Sequence, residues 1–199
     1  MRMVPPAPAS TASGKLRIIG GSLRGSKLAV AGLPSLRPTP DRVRETLFNW
    51  LAPVIDGARC LDLFAGTGAL GIEALSRGAT EVDFIERDPR LARTLRDNLA
   101  RLRQSARVRE GDALAVLGEK AERAFDIAFV DPPFDAQLWE RACSGLEARD
   151  WLAANAWIYV ESPVDATFAL PQAWQQHRES KAGAVRYALY RRSAKLHSG

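Results

Sequence analysis

Apolar positions along this 199-residue chain follow two rhythms, and the change between them divides it. Near the start, Leu16–Val30 reads as strand, Gly-punctuated turn and strand, with Arg17, Arg24 and Lys27 along the hairpin. A Pro-rich connector runs from Gly32 to Pro40. Thr39-Pro40-Asp41 has the form of a helix start, with Thr39 as N-cap and Pro40 at the first helical position. Val43, Leu47, Trp50 and Leu51 then recur at spacings of three and four, marking the apolar face of a helix that ends near Pro53. Arg42, Glu45 and Asn49 fall on its other side.

From Arg59 onward, short apolar runs alternate with helical patterns. Strands are expected over Arg59–Ala65, Val82–Glu86, Arg107–Glu110, Phe125–Val130 and Trp157–Glu161. Helices are expected over Ala69–Arg77, Pro89–Arg103, Ala113–Leu117 and Ala136–Ala148. Two last strands, His177–Ser180 and Val185–Tyr190, flank an Ala-Gly-Ala turn too short for a parallel crossover, so they must pair antiparallel. The order implies an α/β, Rossmann-like fold: a mostly parallel sheet with an antiparallel terminal strand pair, plus a small N-terminal β-hairpin and helix. The expected organisation is a disordered leader over 1–14, the basic hairpin and helix over 15–54, the main α/β domain over 55–192 and a flexible tail over 193–199.

Composition narrows the class. No apolar run approaches the ~18 residues of a membrane span, and the N-terminus lacks the uncharged apolar stretch of a secretory signal. Cys60 and Cys143 sit far apart, and His177 and His197 are the only histidines. That usage fits a reducing cytoplasm and no metal. Charge is uneven: residues 1–50 sum to +6, 51–173 to −6 and 174–199 to +5. Of the 28 basic residues 23 are arginine, the side chain that forks onto phosphates and stacks on bases. Two basic ends could converge into one phosphate-binding surface, or be solvated tails.

Two motifs carry chemistry. After the first main-domain strand, Asp62-Leu63-Phe64-Ala65-Gly66-Thr67-Gly68-Ala69-Leu70-Gly71 contains GxGxxG. Its glycines admit a cofactor against bare backbone, and the helix that follows favours an anion. Glu86 lies 20 residues past Gly66, where a carboxylate can accept from ribose hydroxyls. To this point an NAD-binding loop fits nearly as well. Asp62, however, would repel a pyrophosphate and suits the ammonium of S-adenosylmethionine. Asp112, ending the third main-domain strand, could accept from the adenine amino group or cap the next helix.

The second motif, Asp131-Pro132-Pro133-Phe134, follows the strand Phe125–Val130. The prolines stiffen the turn and remove N–H donors, leaving the Asp131 carboxylate and the Pro132 carbonyl as acceptors. Phe134 offers a stacking face, worth about 1–3 kcal/mol to an unpaired base. Two acceptors gripping an exocyclic amino group give its delocalised lone pair direction. Aligning it with an activated methyl can supply on the order of 7–11 kcal/mol.

These motifs, together with RIIGGSLRG, LRPTPDRVRETLFNWL, ALSRGA, FVDPPF and WIYVESP, resemble the RsmD family of class I methyltransferases over about residues 15–192. The resemblance implies S-adenosylmethionine as donor, S-adenosylhomocysteine as product and guanine 966 N2 of 16S rRNA as acceptor. It further implies an assembled or assembling small ribosomal subunit as partner, with no membrane and a monomeric enzyme. By motif position it carries over Asp62, Ala65, Gly66, Gly68, Glu86 and Asp112 as cofactor contacts, and Asp131, Pro132 and Phe134 as the catalytic turn. The Arg37-Pro38-Thr39 segment and its helix match the family's segment before the core, which should border the active site. Arg17, Arg24, Lys27, Arg37 and Arg42 become candidates for rRNA phosphates, against a solvated surface. Alternatives are an adenine-N6 methyltransferase on DNA or RNA, for which no target-recognition domain is present, and a non-catalytic RNA-binding assembly factor, against which Asp131 and Phe134 argue. An NAD-dependent reductase is weaker still.

Overall fold

A computed structural model describes residues 16–30 and 39–193. The expected leader, Arg37 with most of the Pro-rich connector, and the tail beyond Ser193 lie outside the described residues.

Strands β1 (Leu16–Arg17) and β2 (Lys27–Leu28) pair antiparallel as a short arm, and helix α1 spans Asp41–Leu51. The main unit then alternates β3 (Arg59–Asp62), α2 (Ala69–Ser76), β4 (Glu81–Glu86), α3 (Pro89–Arg101), β5 (Arg107–Glu110), α4 (Ala113–Leu117), β6 (Phe125–Val130), α5 (Trp139–Ala148) and β7 (Leu152–Pro163). It closes with β8 (Trp174–Ala182) and β9 (Val185–Arg192). The seven-stranded sheet runs β5-β4-β3-β6-β7-β9-β8. Its first five strands are parallel, while β9 is antiparallel to both β7 and β8. This is the expected Rossmann-like sheet with its antiparallel terminal pair. The order reverses between β3 and β6, so a crevice opens at their carboxyl ends.

Two apolar layers cover the sheet. On one face Val43, Leu47, Phe48 and Leu51 of α1 pack with Phe84, Leu95, Phe129, Tyr159 and Tyr187. On the other, α4 and α5 bring Val116, Leu117, Trp139 and Leu146 against Leu61, Ala128 and Ile158. Buried residues at Leu91, Ala92, Leu95, Asn98 and Leu99 give α3 one inward face. Its start is fixed by the Asp88 carboxylate, which accepts from Arg90 N, with Pro89 at the first turn.

Local expectations shift in several places. Pro40, not Thr39, occupies the cap position of α1, and no side chain caps that helix. Trp50 is half-buried and stacks on Tyr187 at 5.5 Å, while Arg44 and Phe48 take the buried positions beside Val43, Leu47 and Leu51. β3 ends at Asp62 because the chain turns into the glycine loop there. The helix expected from Ala136 starts at Trp139, since Gln137 adopts φ +49° after a short 3-10 turn at Phe134–Ala136. β7 starts five residues before the expected Trp157 and is irregular against β6 near Phe125, which obscures its alternation.

The arm is fastened by buried charge. The Glu73 carboxylate accepts from Ile19 N and Gly20 N at 2.8 Å each and from Arg77 Nε at 2.8 Å. Arg44, fully buried, lies 3.6 Å from Glu73 and donates to the carbonyls of Arg17 and Thr39 and to Asp41. Gly21, at φ +75°, lies so close to the end of α2 that an added Cβ would stand 1.8 Å from the Ser76 carbonyl oxygen.

Candidate active site

Asp62, Glu86, Asp112 and Asp131 lie at or just past the carboxyl ends of β3, β4, β5 and β6, along one edge of the sheet. Gly66 and Gly68 follow β3 with φ +53° and +74°, a region that L side chains rarely adopt. A Cβ on Gly68 would meet Leu95 Cδ1 at 2.3 Å. Gly71 serves packing instead, because a Cβ there would stand 2.2 Å from the Phe84 ring; its absence lets α2 sit on the sheet. Ala65 N donates to Ile85 O, tying the loop to β4.

The carboxylates of this half are held by main-chain amides. Asp62 Oδ2 accepts from Gly71 N at 3.0 Å. Glu86 Oε2 accepts from Gly66 N and its Oε1 from Asp88 N, both at 2.7 Å. Each carboxylate oxygen has a second lone pair, so these bonds leave acceptor capacity for a ligand. Asp112 is an N-cap, its Oδ1 accepting from Leu114 N and Ala115 N. That geometry is compatible with a further contact to a cofactor.

Burial pushes the Asp62 carboxyl up to about 7, aided by the nearby Glu86 charge and opposed by the Gly71 amide. A buried acid so raised would be stabilised in its ionised form by an adjacent cation. The donor set therefore fits S-adenosylmethionine: a buried carboxylate for an ammonium, a helix start for a carboxylate, and Glu86 for ribose hydroxyls.

Asp131 is half-buried immediately after β6. Thr39 Oγ1 donates to Asp131 Oδ2 at 3.4 Å, so the segment before α1 does border the turn. Burial raises the Asp131 carboxyl well above the usual carboxylate range, with the Glu161 and Asp62 charges adding and the Thr39 hydroxyl opposing. Phe134 is one of two exposed large apolar side chains among the described residues, at 37%. It tilts against Trp139 at 6.1 Å, which in turn stacks on Phe168 at 5.6 Å.

The candidate phosphate contacts are spread over the arm and α1. Arg17, Arg24, Lys27 and Arg42 are exposed. Arg17 also pairs with Asp41 at 3.2 Å. Sequence reasoning placed the Thr39 segment at the site without its bond to Asp131, and missed the buried Arg44 and Glu161. The only advance signal for Glu161 was its place in WIYVESP at the end of a strand.

The family model described as conserved hypothetical protein 95 matches residues 16–191. The chain is 52% identical over 189 residues to ribosomal RNA small subunit methyltransferase D of Escherichia coli, covering 94% of this chain and 95% of that protein. The Haemophilus influenzae protein of the same name is 46% identical over 183 residues, covering 90% and 95%. Among solved structures, yhhF from Escherichia coli, described as a candidate methyltransferase, superposes with TM-score 0.83 at 53% identity, covering 92% of this chain and all of that one.

Proposed function

The chain belongs to the conserved hypothetical protein 95 family, shared with the small subunit methyltransferase D relatives, and from that membership we propose that it methylates the exocyclic N2 of a guanine in 16S rRNA. By family position the guanine is number 966, and the substrate is the assembled or assembling small subunit in the cytoplasm. The protein acts as a monomer. The observation that carries this reading is Asp131-Pro132-Pro133-Phe134 at the end of β6, beside the glycine loop that follows β3.

S-adenosylmethionine, when bound, supplies an activated methyl group. Asp62 would hold its ammonium, Gly66 and Gly68 its backbone-facing side, Glu86 its ribose and Asp112 its adenine. The Asp131 carboxylate and the Pro132 carbonyl accept the two amino hydrogens of the guanine and aim its lone pair. Phe134 stacks on the base. Holding the reacting groups in line is the main contribution, because the methyl needs no further activation. Arg17, Arg24, Lys27, Arg37 and Arg42 grip phosphates; such contacts place the RNA without choosing the base.

Small subunits, free rRNA and duplex DNA offered with labelled donor test the reading. Label should enter guanine N2 of the small-subunit rRNA. Label confined to DNA adenine would overturn it.

A further inference from the structure

The carboxyl of Asp131 has a second carboxyl behind it. Val130 of β6 is in register with Val160 of β7, so the next residues, Asp131 and Glu161, stand side by side on neighbouring parallel strands. Glu161 is in turn opposite Tyr187 of β9. It is 5% exposed, and its Oε2 accepts from the Tyr159 hydroxyl at 2.8 Å. Thr39, itself 6% exposed, donates to Asp131.

A threonine hydroxyl has one hydrogen. That hydrogen goes to Asp131, so Thr39 offers none to Glu161, and the two neighbouring carboxyls are best accommodated when one of them carries a proton. The titratable neighbours favour the same state. Asp62 faces the pair from β3, Tyr159 from β7 and Tyr187 from β9, and the charges acting on Asp131 are those of Glu161 and Asp62, both acidic. Neighbouring carboxyls whose charges act on each other titrate as a unit.

We propose that Glu161 is a positioning residue for Asp131, and that the two neighbouring carboxyls together receive the proton released when the guanine amino group is methylated. In the free protein the resident proton sits on Asp131, the more strongly raised of the two and the one that feels the Glu161 charge; when the guanine amino group donates to Asp131, that proton passes to Glu161 and Asp131 becomes the ionised acceptor. The amino lone pair forms the new C–N bond as the C–S bond breaks, its electron pair going to sulfur. The nitrogen, now cationic, passes one proton to Asp131, and the pair returns it to water after the product leaves. This inference rests on the assignment of Asp131 above.

Three variants of the full chain test it, with small subunits and saturating donor: Glu161→Gln, Thr39→Val and Asp131→Asn. Carbon-13 carboxyl NMR of the wild type should show one carboxyl of the pair keeping its proton well above the usual carboxylate range. Glu161→Gln should abolish that upper step and leave Asp131 titrating alone at lower pH. Its methyl-transfer rate should fall about tenfold, less than the ~10²–10⁴ of a directly acting acid or base, with donor affinity unchanged. Thr39→Val should alter the same pH profile, and Thr39→Ser should restore it; this arm stands even if the glutamine variant folds poorly. Unchanged titration and pH profile in both Glu161→Gln and Thr39→Val, with Asp131→Asn inactive, would overturn the pairing alone. Full turnover by Asp131→Asn would overturn the assignment of Asp131 and the pairing with it.

Discussion

The two halves of the sheet edge hold their carboxylates by different means. Around β3, β4 and β5, main-chain amides do the holding: Gly71 N for Asp62, Gly66 N and Asp88 N for Glu86, Leu114 N and Ala115 N for Asp112. Around β6 and β7 the partners are hydroxyls, Thr39 on Asp131 and Tyr159 on Glu161. An amide can only donate, and it fixes an oxygen in place. A hydroxyl both donates and accepts, so it can reverse its role when a proton moves. The half that would bind the cofactor is thus built for fixed geometry, and the half that would perform the transfer for changes of protonation.

The sharpest break of this contrast is Asp131→Asn. Turnover should fall by roughly 10²–10⁴, while calorimetric titration shows donor affinity within about threefold of the wild type, because the amide-held half is untouched. Gly68→Ala should do the reverse. Its φ of +74° and the 2.3 Å approach to Leu95 leave no room for a methyl. Strain of about 1–3 kcal/mol should lower the melting temperature and weaken donor binding, with turnover at saturating donor much less affected.

A third test uses pH. The Asp62 carboxyl is raised from its ordinary range to about 7, so the folded protein holds a proton that the unfolded chain has released. Stability of the free protein should therefore fall as pH rises from about 4 to about 7. Donor binding should tighten over the upper part of that window, since the ammonium favours the ionised acid. Asp62→Asn should flatten the stability trend in a series of melts and remove the proton release seen by calorimetry. The smallest effect is expected from the arm: Arg24→Ala should reduce the slope of log affinity against log salt for small subunits by about 1 and leave donor binding unchanged.

The sheet was legible because periodicity reports burial, and the strands β4, β5 and β6 and helices α2, α3 and α4 came out within one or two residues of their expected ends. The Glu86 and Asp131 positions were legible for a related reason, each sitting where an expected strand stops, and Asp62 was legible from the glycine loop beside it. What escaped depends on distant partners. The resemblance placed the Arg37-Pro38-Thr39 segment at the active site, but Thr39 before a proline looks like an N-cap, and no local pattern gave its bond to Asp131. Arg44 looks like any surface arginine of an amphipathic helix until Glu73 of α2 is folded against it. Glu161 ends a strand as Asp131 does, but register with β6, not local pattern, makes the two neighbours.

Glu73 gathers two amides of the arm and the side chains of Arg44 and Arg77 at a point with no access to water. Lifting the arm away would take two amide donors from a buried carboxylate, each worth about 1.5–3 kcal/mol to a charged group. The arm is thus latched before any RNA arrives. A ribosomal substrate docking on its arginines, as proposed, would meet a finished mould and spend no binding energy on folding it.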